Sequence, residues 1–484
     1  MSTVVVVGSG NAGFSAAHAA RAAGAAVILL EKGPPEWIGG NSYFTAGAMR
    51  FCHEGLADLV SLIEPVHAHR IEAIDVPAYS ANDFRADMNR VTDSRTDPEL
   101  SRILISESRD AVDWLRSLDM RFELMFHRQA YEVNGRFRFW GGLAVGVRGG
   151  GKSMIGDHLA AARAAGIDVR CNAHVRGLVL NAGNAVAGVR LADGGEVRAD
   201  AVVLACGGFQ ADPAWRASYL GPGWDLAAVR GTPLNTGDGI AMAVEAGAQT
   251  YGHFSGCHAV AWDAHAAATG DRELTNQLTR GGYPFGIVVN TLGRRFIDEG
   301  ADFRNYTYAK YGAEILHQPG GRAVQIFDAK VSGLLRSEEY DSPGVTRVRA
   351  DDLVSLAEQL GIAPGALSET VANYNASIND RVFDPTVKDG VATVGIDPPK
   401  SNWAQTIDTP PFTAYPVTCG ITFTFGGIRV NSDGAVLDTS GNPVTGLFAA
   451  GELVGGLFYF NYPGGSGLTA GTVFGRRAGR SAAS

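Results

Sequence analysis

The sequence predicts an α/β fold in which a parallel, doubly wound sheet is interrupted by a large insertion. Three observations predict it. The apolar run at residues 4–7 leads directly into the glycine-rich turn GSGNAG (8–13) and then into an alanine-rich stretch, 11–23. Glycine clusters recur beside short apolar runs, as in IGGNSYFTAGA (38–48), RGGGKSM (148–154) and AVVLACGGF (201–209). The pattern lapses after about residue 251 and returns only at GLFAAGELVGG (446–456), so the sheet must be assembled from two separated segments.

Each element has a local reason. Residues 4–7 are β-branched with no polar interruption, as in a strand buried on both faces, and 11–23 suit a helix. Gly8 permits the tight turn, Gly10 lets the backbone approach a pyrophosphate, and Gly13 lets helix and strand pack closely. Phosphates then meet the unpaired N–H groups at the helix N-terminus. A second apolar strand, 27–30, ends in Glu31, placed to accept a hydrogen bond from a ribose 2′-hydroxyl; a 2′-phosphate would be repelled, which argues against NADP. The GxGxxG pattern alone is a weak signal, but strand, helix, strand and acid standing in order within 31 residues point to a bound dinucleotide.

Further along, 155–165 reads as a helix, 168–171 as a strand, and alternating strands follow through Val189 and Val197. Residues 201–209 read as a buried strand ending in glycines, 235–248 as a loop and helix, and 446–456 as a late strand ending Gly-Glu. In a doubly wound sheet ligands bind beyond the carboxyl ends of strands, so glycines recurring there suit one extended ligand. The expected domains are 1–251 and 413–484, together forming the nucleotide domain, around an insertion at 252–412 that carries helical patterns at 350–360 and 366–379.

Composition narrows the function classes. Sixty-three of the 484 residues are glycine, about twice the usual ~7%. A net charge of −9 argues against a nucleic-acid surface. The apolar runs are too short to span a membrane, and a first strand beginning near residue 4 leaves no room for a signal peptide, so a cytoplasmic protein is expected. The five cysteines, Cys52, Cys171, Cys206, Cys257 and Cys419, have no metal-ligand spacing and are expected to be buried free thiols; no metal site is expected. His18 and His158 fall in alanine-rich helical stretches and read as packing or surface residues.

The ordered motifs GSGNAG, IGGNS, LACGGF, NTGDG, VVNTLGRRFIDE and AAGE resemble the flavoprotein family of fumarate reductase and succinate dehydrogenase over nearly the whole chain. Within it, EGADFRNYTYAKYG (299–312) and NYPGGSGLTAGTVFGRRAG (461–479) are similar to the tricarballylate dehydrogenase branch. The resemblance implies a Rossmann-like FAD-binding domain interrupted by an α+β capping domain. It also implies redox chemistry at a carbon–carbon bond beside a carbonyl, here the oxidation of a small tricarboxylate to cis-aconitate. It places the FAD pyrophosphate at Gly8, Gly10 and Gly13, the adenosine ribose at Glu31, and the flavin side at Asn41, Ser42 and Gly47. Ala205 and Asp238 belong to the adenosine and ribityl neighbourhood, and Glu452 to the ribityl chain. Ser466, Gly467 and Leu468 open the last helix, whose N-terminus would face the flavin carbonyl. Asn11, Ala12, Lys32, Gly40, Val175, Gly207 and Gly451 complete the expected cofactor-binding set. Some relatives attach FAD through a histidine where this chain has Tyr43, so non-covalent FAD is expected.

On the substrate side the resemblance assigns a carboxylate-binding role to His258, proton transfer to Arg304, and a relay to Arg280. The family glutamate near that relay reads as Gln277, and a bland alternative pairs Arg304 with Asp302 or Glu299 on the surface. Two departures count against fumarate as substrate. The family's histidine-threonine motif reads ITFTFGG (421–427), and its Asn-Arg-x-Gly-Gly arginine reads as Tyr462. A C4 diacid would lose a bidentate, charge-assisted clamp. Tyr462 also resembles a tyrosine of the ketosteroid dehydrogenases, where with a backbone amide, here that of Ser466, it would polarise a carbonyl. The readings carried forward are an α,β-dehydrogenase of a small polycarboxylate, a desaturase or enoate reductase of a carbonyl substrate, and a flavoprotein that only carries electrons. The electron acceptor lies outside the chain, with a membrane-bound partner protein as one candidate.

Overall fold

The computed structural model describes residues 2–64 and 68–484. Its first body is built on a six-stranded sheet in the order Ala435–Leu437, Pro443–Ala449, Ala201–Leu204, Thr3–Val7, Ala26–Leu30, Asp168–Arg170. All neighbouring pairs are parallel except the first, which is antiparallel. Val4 to Val7 lie in register with Ala201 to Leu204 on one side and with Val27 to Leu30 on the other. This central position explains their unbroken apolar character, because both faces are covered. Phe14, Leu29, Val203, Leu447 and Phe474 share the resulting core, and each such fully buried side chain contributes roughly 1.5–3 kcal/mol. The late return of the sheet pattern is accounted for by Pro443–Ala449, which joins the sheet beside Ala201–Leu204.

The helices Asn11–Ala22 and Gly150–Ala164 cover this sheet region, and the C-terminal helix Ser466–Ala483 packs along the first of them. His18 and His158 are buried rather than on the surface. Their rings stack 5.6 Å apart, and His158 Nε2 lies 3.0 Å from Asn11 Oδ1. The expectation of buried cysteines holds for Cys257 and Cys419 only; Cys52, Cys171 and Cys206 are partly buried, and all five are free thiols.

A second sheet carries the inserted chain. Its order is Ala228–Val229, Phe412–Ile428, Arg322–Phe327, Ile287–Asn290, with Thr250–Asp263 pairing antiparallel along Phe412–Ile428. Residues 252 and 412, the borders expected from sequence, fall near the starts of these two long strands. Leu353–Leu360 and Pro364–Ala376 are the two helices expected at 350–360 and 366–379, and Tyr308–Leu316 and Ser337–Tyr340 are further helices of the insertion.

Two features of the second sheet position the site. The register slips between His258, opposite Phe423, and Ala259, opposite Ile421, so Thr422 is the extra residue of a bulge. Such a bulge re-aims side chains, and both His258 and Thr422 face the cavity described below. The helix Tyr308–Leu316 rides directly on Thr250–Asp263, because a Cβ at Gly312 would stand 2.4 Å from the Ala259 carbonyl carbon. That close approach brings Tyr308 and the preceding Arg304 to the same cavity.

Candidate active site

One continuous cavity runs from the GSGNAG turn, past the N-terminus of the last helix, to the strands of the second sheet. All the expected cofactor-binding residues line it except Gly13, Gly47 and Ser466. At Gly8 the backbone adopts φ 106°, and a Cβ there would lie 2.5 Å from the Ala205 carbonyl oxygen; a Cβ at Gly13 would meet the Gly8 carbonyl at 1.9 Å. Gly13 therefore acts in packing the turn. Gly47 packs against Gly150 in the same manner.

The polar groups at the nucleotide end are held by one another. Glu31 is buried, its Oε2 accepting from Ser9 Oγ (2.5 Å) and Ser9 N (3.2 Å) and its Oε1 from Gly33 N (2.8 Å). Lys32 Nζ donates to Asp238 Oδ2 at 2.8 Å, and His174 Nε2 lies 3.1 Å from the same oxygen. Ser42 Oγ accepts from the Asn11 amide at 3.0 Å, and Asn41 Oδ1 from Thr232 N at 2.9 Å. Further along, Glu452 accepts from Thr424 N (3.0 Å), Gln210 Nε2 (3.3 Å) and Asn235 Nδ2 (3.4 Å), while burial pushes its carboxyl up to about 7. Asn235 and Thr424 line the cavity without having been singled out in the sequence; the NTGDG motif holds the first of them.

The Ser466 amide donates to the Pro463 carbonyl at 3.1 Å, so it is spent within the turn and does not join Tyr462 in polarising a carbonyl. Gly467 and Leu468, next on the helix, do line the cavity. Tyr43 does not line it; its ring lies under the Arg272 guanidinium, 3.4 Å from the centroid.

At the other end the residues are aromatic and cationic. The Tyr462 and Tyr308 hydroxyls hydrogen-bond to each other. His258 is 2% exposed and packs edge-on against Tyr308 and Phe423, with neither ring nitrogen hydrogen-bonded. Burial, helped by the Arg230 charge, holds its pKa well below the ordinary value. The imidazole is neutral, offering one donor and one acceptor.

Arg304 takes neither of the partners that the bland alternative offered. Asp302 pairs with Arg90 and Lys388, and Glu299 with Arg295. Arg304 Nη1 instead stands 3.7 Å from Glu339 Oε1, a fully buried carboxylate. Glu339 also receives Arg336 Nη1 (3.1 Å), Arg128 Nη1 (3.3 Å) and the Gly281 amide (3.1 Å). Arg128 Nε lies 2.5 Å from Glu338, whose side chain is 39% exposed. A charged chain thus leads from Arg304 through Glu339 and Arg128 to Glu338 and solvent.

The expected relay contact between Arg304 and Arg280 is not formed. Arg280 Nη2 is paired with Asp263 at 2.8 Å, both fully buried, and its Nη1 donates to the carbonyls of Gln277 (2.9 Å), Thr279 (3.1 Å) and Glu339. The charge of Asp263, seventeen residues upstream at the end of the strand Thr250–Asp263, is the partner that fixes the Arg280 guanidinium. Arg280 borders the cavity, and the carboxylate beside Arg304 is that of Glu339, which also lines it. Glu339, Arg128, Arg230 and Tyr308 were not singled out from sequence as site residues. Tyr308 stood within the motif 299–312, whereas the others carry no local signal.

A dinucleotide turn, a buried acid beyond the second strand and an aromatic, cationic chamber in the same cavity define a nucleotide-dependent redox enzyme. The residues fit FAD, since Gly8, Gly10 and the start of the following helix line the cavity together with Glu31, and the partly buried Glu452 presents a carboxylate to the same cavity. The chain belongs to the FAD binding domain family FAD_binding_2, whose model matches residues 3–468. A probable fumarate reductase, Ifc3, of Shewanella frigidimarina is 33% identical over 493 aligned positions, covering 99% of this chain and 74% of that protein. A cytochrome-type fumarate reductase of Shewanella frigidimarina is 31% identical, over 99% of this chain and 76% of the other. Among solved structures, the open conformation of a flavocytochrome c3 fumarate reductase superposes with a TM-score of 0.74 at 29% identity, covering 100% of this chain and 78% of that one. The 3-ketosteroid delta1-dehydrogenase of Sterolibacterium denitrificans shares the fold, with a TM-score of 0.74 at 21% identity and full coverage of both chains. The protein is an FAD-dependent oxidoreductase of the fumarate reductase flavoprotein family, acting on carbon–carbon bonds. Among the described residues no helix is long and apolar enough to cross a membrane, and no cluster of side chains suits a metal.

Proposed function

We propose that the protein catalyses the α,β-dehydrogenation of a small polycarboxylate, with tricarballylate, oxidised to cis-aconitate, as the type substrate. The observation that carries this reading is Arg304 at the cavity wall, backed by buried Glu339 and a charged exit to solvent. Bound FAD supplies the acceptor for the hydride leaving one carbon. The adjacent C–H bond must lose a proton, and a guanidinium is a poor base at its ordinary pKa. Arg304 therefore gives one of its own N–H protons toward Glu339 as the substrate proton arrives, and Arg128 and Glu338 carry the charge change outward. Arg304 and Glu339, 3.7 Å apart, close to hydrogen-bonding distance as the proton passes between them.

His258, neutral and unpartnered, donates one N–H to a substrate carboxylate, and Tyr462, linked to Tyr308, polarises the carbonyl side. In this reading residues 252–412 close over the site as a cap and exclude water, which strengthens every charge interaction inside. The test is anaerobic mixing of the yellow protein with di- and tricarboxylates while absorbance near ~450 nm, characteristic of an oxidised flavin, is followed. A polycarboxylate should bleach the flavin. Bleaching by cyclic ketones, with none by any carboxylate, would overturn the reading.

The joined hydroxyls of Tyr308 and Tyr462 favour a second reading, reduction or desaturation next to a ketone. Arg230 counts against it: its side chain is held by the Thr279 and Thr422 hydroxyls and by no carboxylate, so a neutral ketone would leave its charge without a partner in the closed site. A protein that only carries electrons has no use for the Arg304 and Glu339 chain. The electron acceptor is a separate partner, a membrane-bound protein among the candidates.

A further inference from the structure

Arg230 has no part in the proton path, yet it is 9% exposed and lines the substrate end of the cavity. It follows the two-residue strand Ala228–Val229, and its amide donates to the Ile421 carbonyl at 2.8 Å, so its backbone is fixed to the bulged strand. Its Nε donates to Thr279 Oγ1 and its Nη1 to Thr422 Oγ1, both at 3.0 Å. These hydroxyls orient the guanidinium without neutralising it. Among the described residues the nearby carboxylates are taken, Asp263 by Arg280 at 2.8 Å and Glu339 by Arg336 at 3.1 Å, and no ion pair reaches Arg230.

A buried guanidinium without a counter-charge is costly, and an isolated charge in such a place normally finds an anion. Around the chamber, five guanidiniums (Arg128, Arg230, Arg280, Arg304, Arg336) face three carboxylates (Asp263, Glu338, Glu339), so the site is prepared for added negative charge. The nearest companion of Arg230 in function is His258, whose two ring nitrogens are buried and unpartnered.

We propose that Arg230, braced by Thr279 and Thr422 and joined by His258, binds a substrate carboxylate separate from the one beside the reacting carbons, and thereby selects tricarboxylates over dicarboxylates. The inference rests on the polycarboxylate reading. Arg230 restores, from a different part of the chain, the guanidinium that is missing at Tyr462. It is a specificity-determining residue; Arg304 remains the proton-handling one.

The test is a cycle of ligand and protein deletions on the holoprotein. Dithionite-reduced protein cannot oxidise a saturated acid, so dissociation constants can be measured by titration calorimetry. The ligands are tricarballylate, glutarate, which lacks the central carboxylate, and 2-ethylsuccinate, which lacks a terminal one. In the unaltered protein, one of the two deletions should weaken binding by about 10- to 150-fold, the usual range for a hydrogen bond to a charged group. In Arg230→Met that same deletion should cost less than about threefold, since the partner is already gone. Equal penalties in protein and variant for both ligands would overturn the inference while leaving the polycarboxylate function intact. Failure of the unaltered protein to bind any of the three acids would instead remove the function itself. If Arg230→Met does not retain FAD, Arg230→Lys is used: a lysine keeps the charge but not the fork, so discrimination should fall by at least about threefold. Unchanged discrimination in that variant would refute the proposal.

Discussion

Replacing Glu339 by glutamine separates the observed carboxylate from the relay that sequence suggests. The substitution keeps shape and volume but removes the charge facing Arg304 (3.7 Å), Arg128 (3.3 Å) and Arg336 (3.1 Å). Either amide orientation leaves a conflict, because the Gly281 amide on the other oxygen, 3.1 Å away, also needs an acceptor. Each charge-assisted hydrogen bond lost weakens the cluster by about 1.5–3 kcal/mol. Solvent-exposed Glu338 compensates in part through Arg128. The kinetic effect should exceed the structural one: with no carboxylate to take the Arg304 proton, flavin reduction should slow by at least about a hundredfold, the low end for general acid–base groups. Substrate affinity should change much less, since Glu339 acts on the departing proton. Stopped-flow reduction at saturating substrate, with bound FAD quantified in each sample, reads both parameters. A Glu339→Gln enzyme reducing its flavin near the unaltered rate would refute the relay. Arg280→Met is the contrasting variant. It leaves Asp263 buried without its partner, so it should destabilise the fold by about 3–5 kcal/mol, while the reduction rate per bound flavin changes by less than about tenfold.

Acid or heat precipitation should release all of the FAD into the supernatant, because Tyr43 has no imidazole to form a link and lies outside the cavity; yellow colour retained by the pellet would count against this. Arg304→Ala should lower the rate of flavin reduction by about a hundred- to ten-thousandfold, with a smaller effect on substrate affinity, as measured by stopped flow. Glu31→Ala leaves Ser9 and Gly33 without their acceptor and should weaken FAD binding by at least about tenfold, measurable by fluorescence titration of the flavin. Burial raises the Glu452 carboxyl from 4.5 to about 7, so its stabilising share is complete below about pH 4.5 and is lost as pH rises through 7. In the apoprotein, Glu452→Gln should therefore gain stability over the unaltered chain by up to about 3 kcal/mol between pH 5 and 8, checked by denaturant unfolding at each pH; a difference independent of pH would contradict the assignment.

Elements whose causes are local are legible in the chain. Residues 4–7, the Gly8 turn, the helix after it and Glu31 depend on contacts within one strand–turn–helix–strand unit, and the structure forms them as expected. The late sheet strand was legible because its apolar run and trailing glycines repeat a pattern already seen at 201–209. The short strands Phe122–Leu124, Ala130–Val133 and Arg136–Phe139 carry no such repeat, whereas the helices Ala81–Val91 and Pro98–Ser117 do show apolar residues at helical spacing behind the caps Ser80 and Asp97.

The charge partners, by contrast, are fixed by the folded arrangement. Guanidiniums and carboxylates choose one another by distance in space, and the chain distances are large: Arg304 meets Glu339 and Arg128, while Arg230 meets Thr279 and Thr422. A departure at Gln277 could be noticed in the sequence, but the carboxylate of residue 339 beside Arg304 could not, because Glu339 reaches the cavity on a separate helix, Ser337–Tyr340. The spent Ser466 amide and the bulge at Thr422 are likewise invisible to pattern, since both depend on which backbone group finds a hydrogen-bond partner once the strands have paired. Local periodicity sets the elements, and long-range electrostatics and sheet register set which side chains share the cavity.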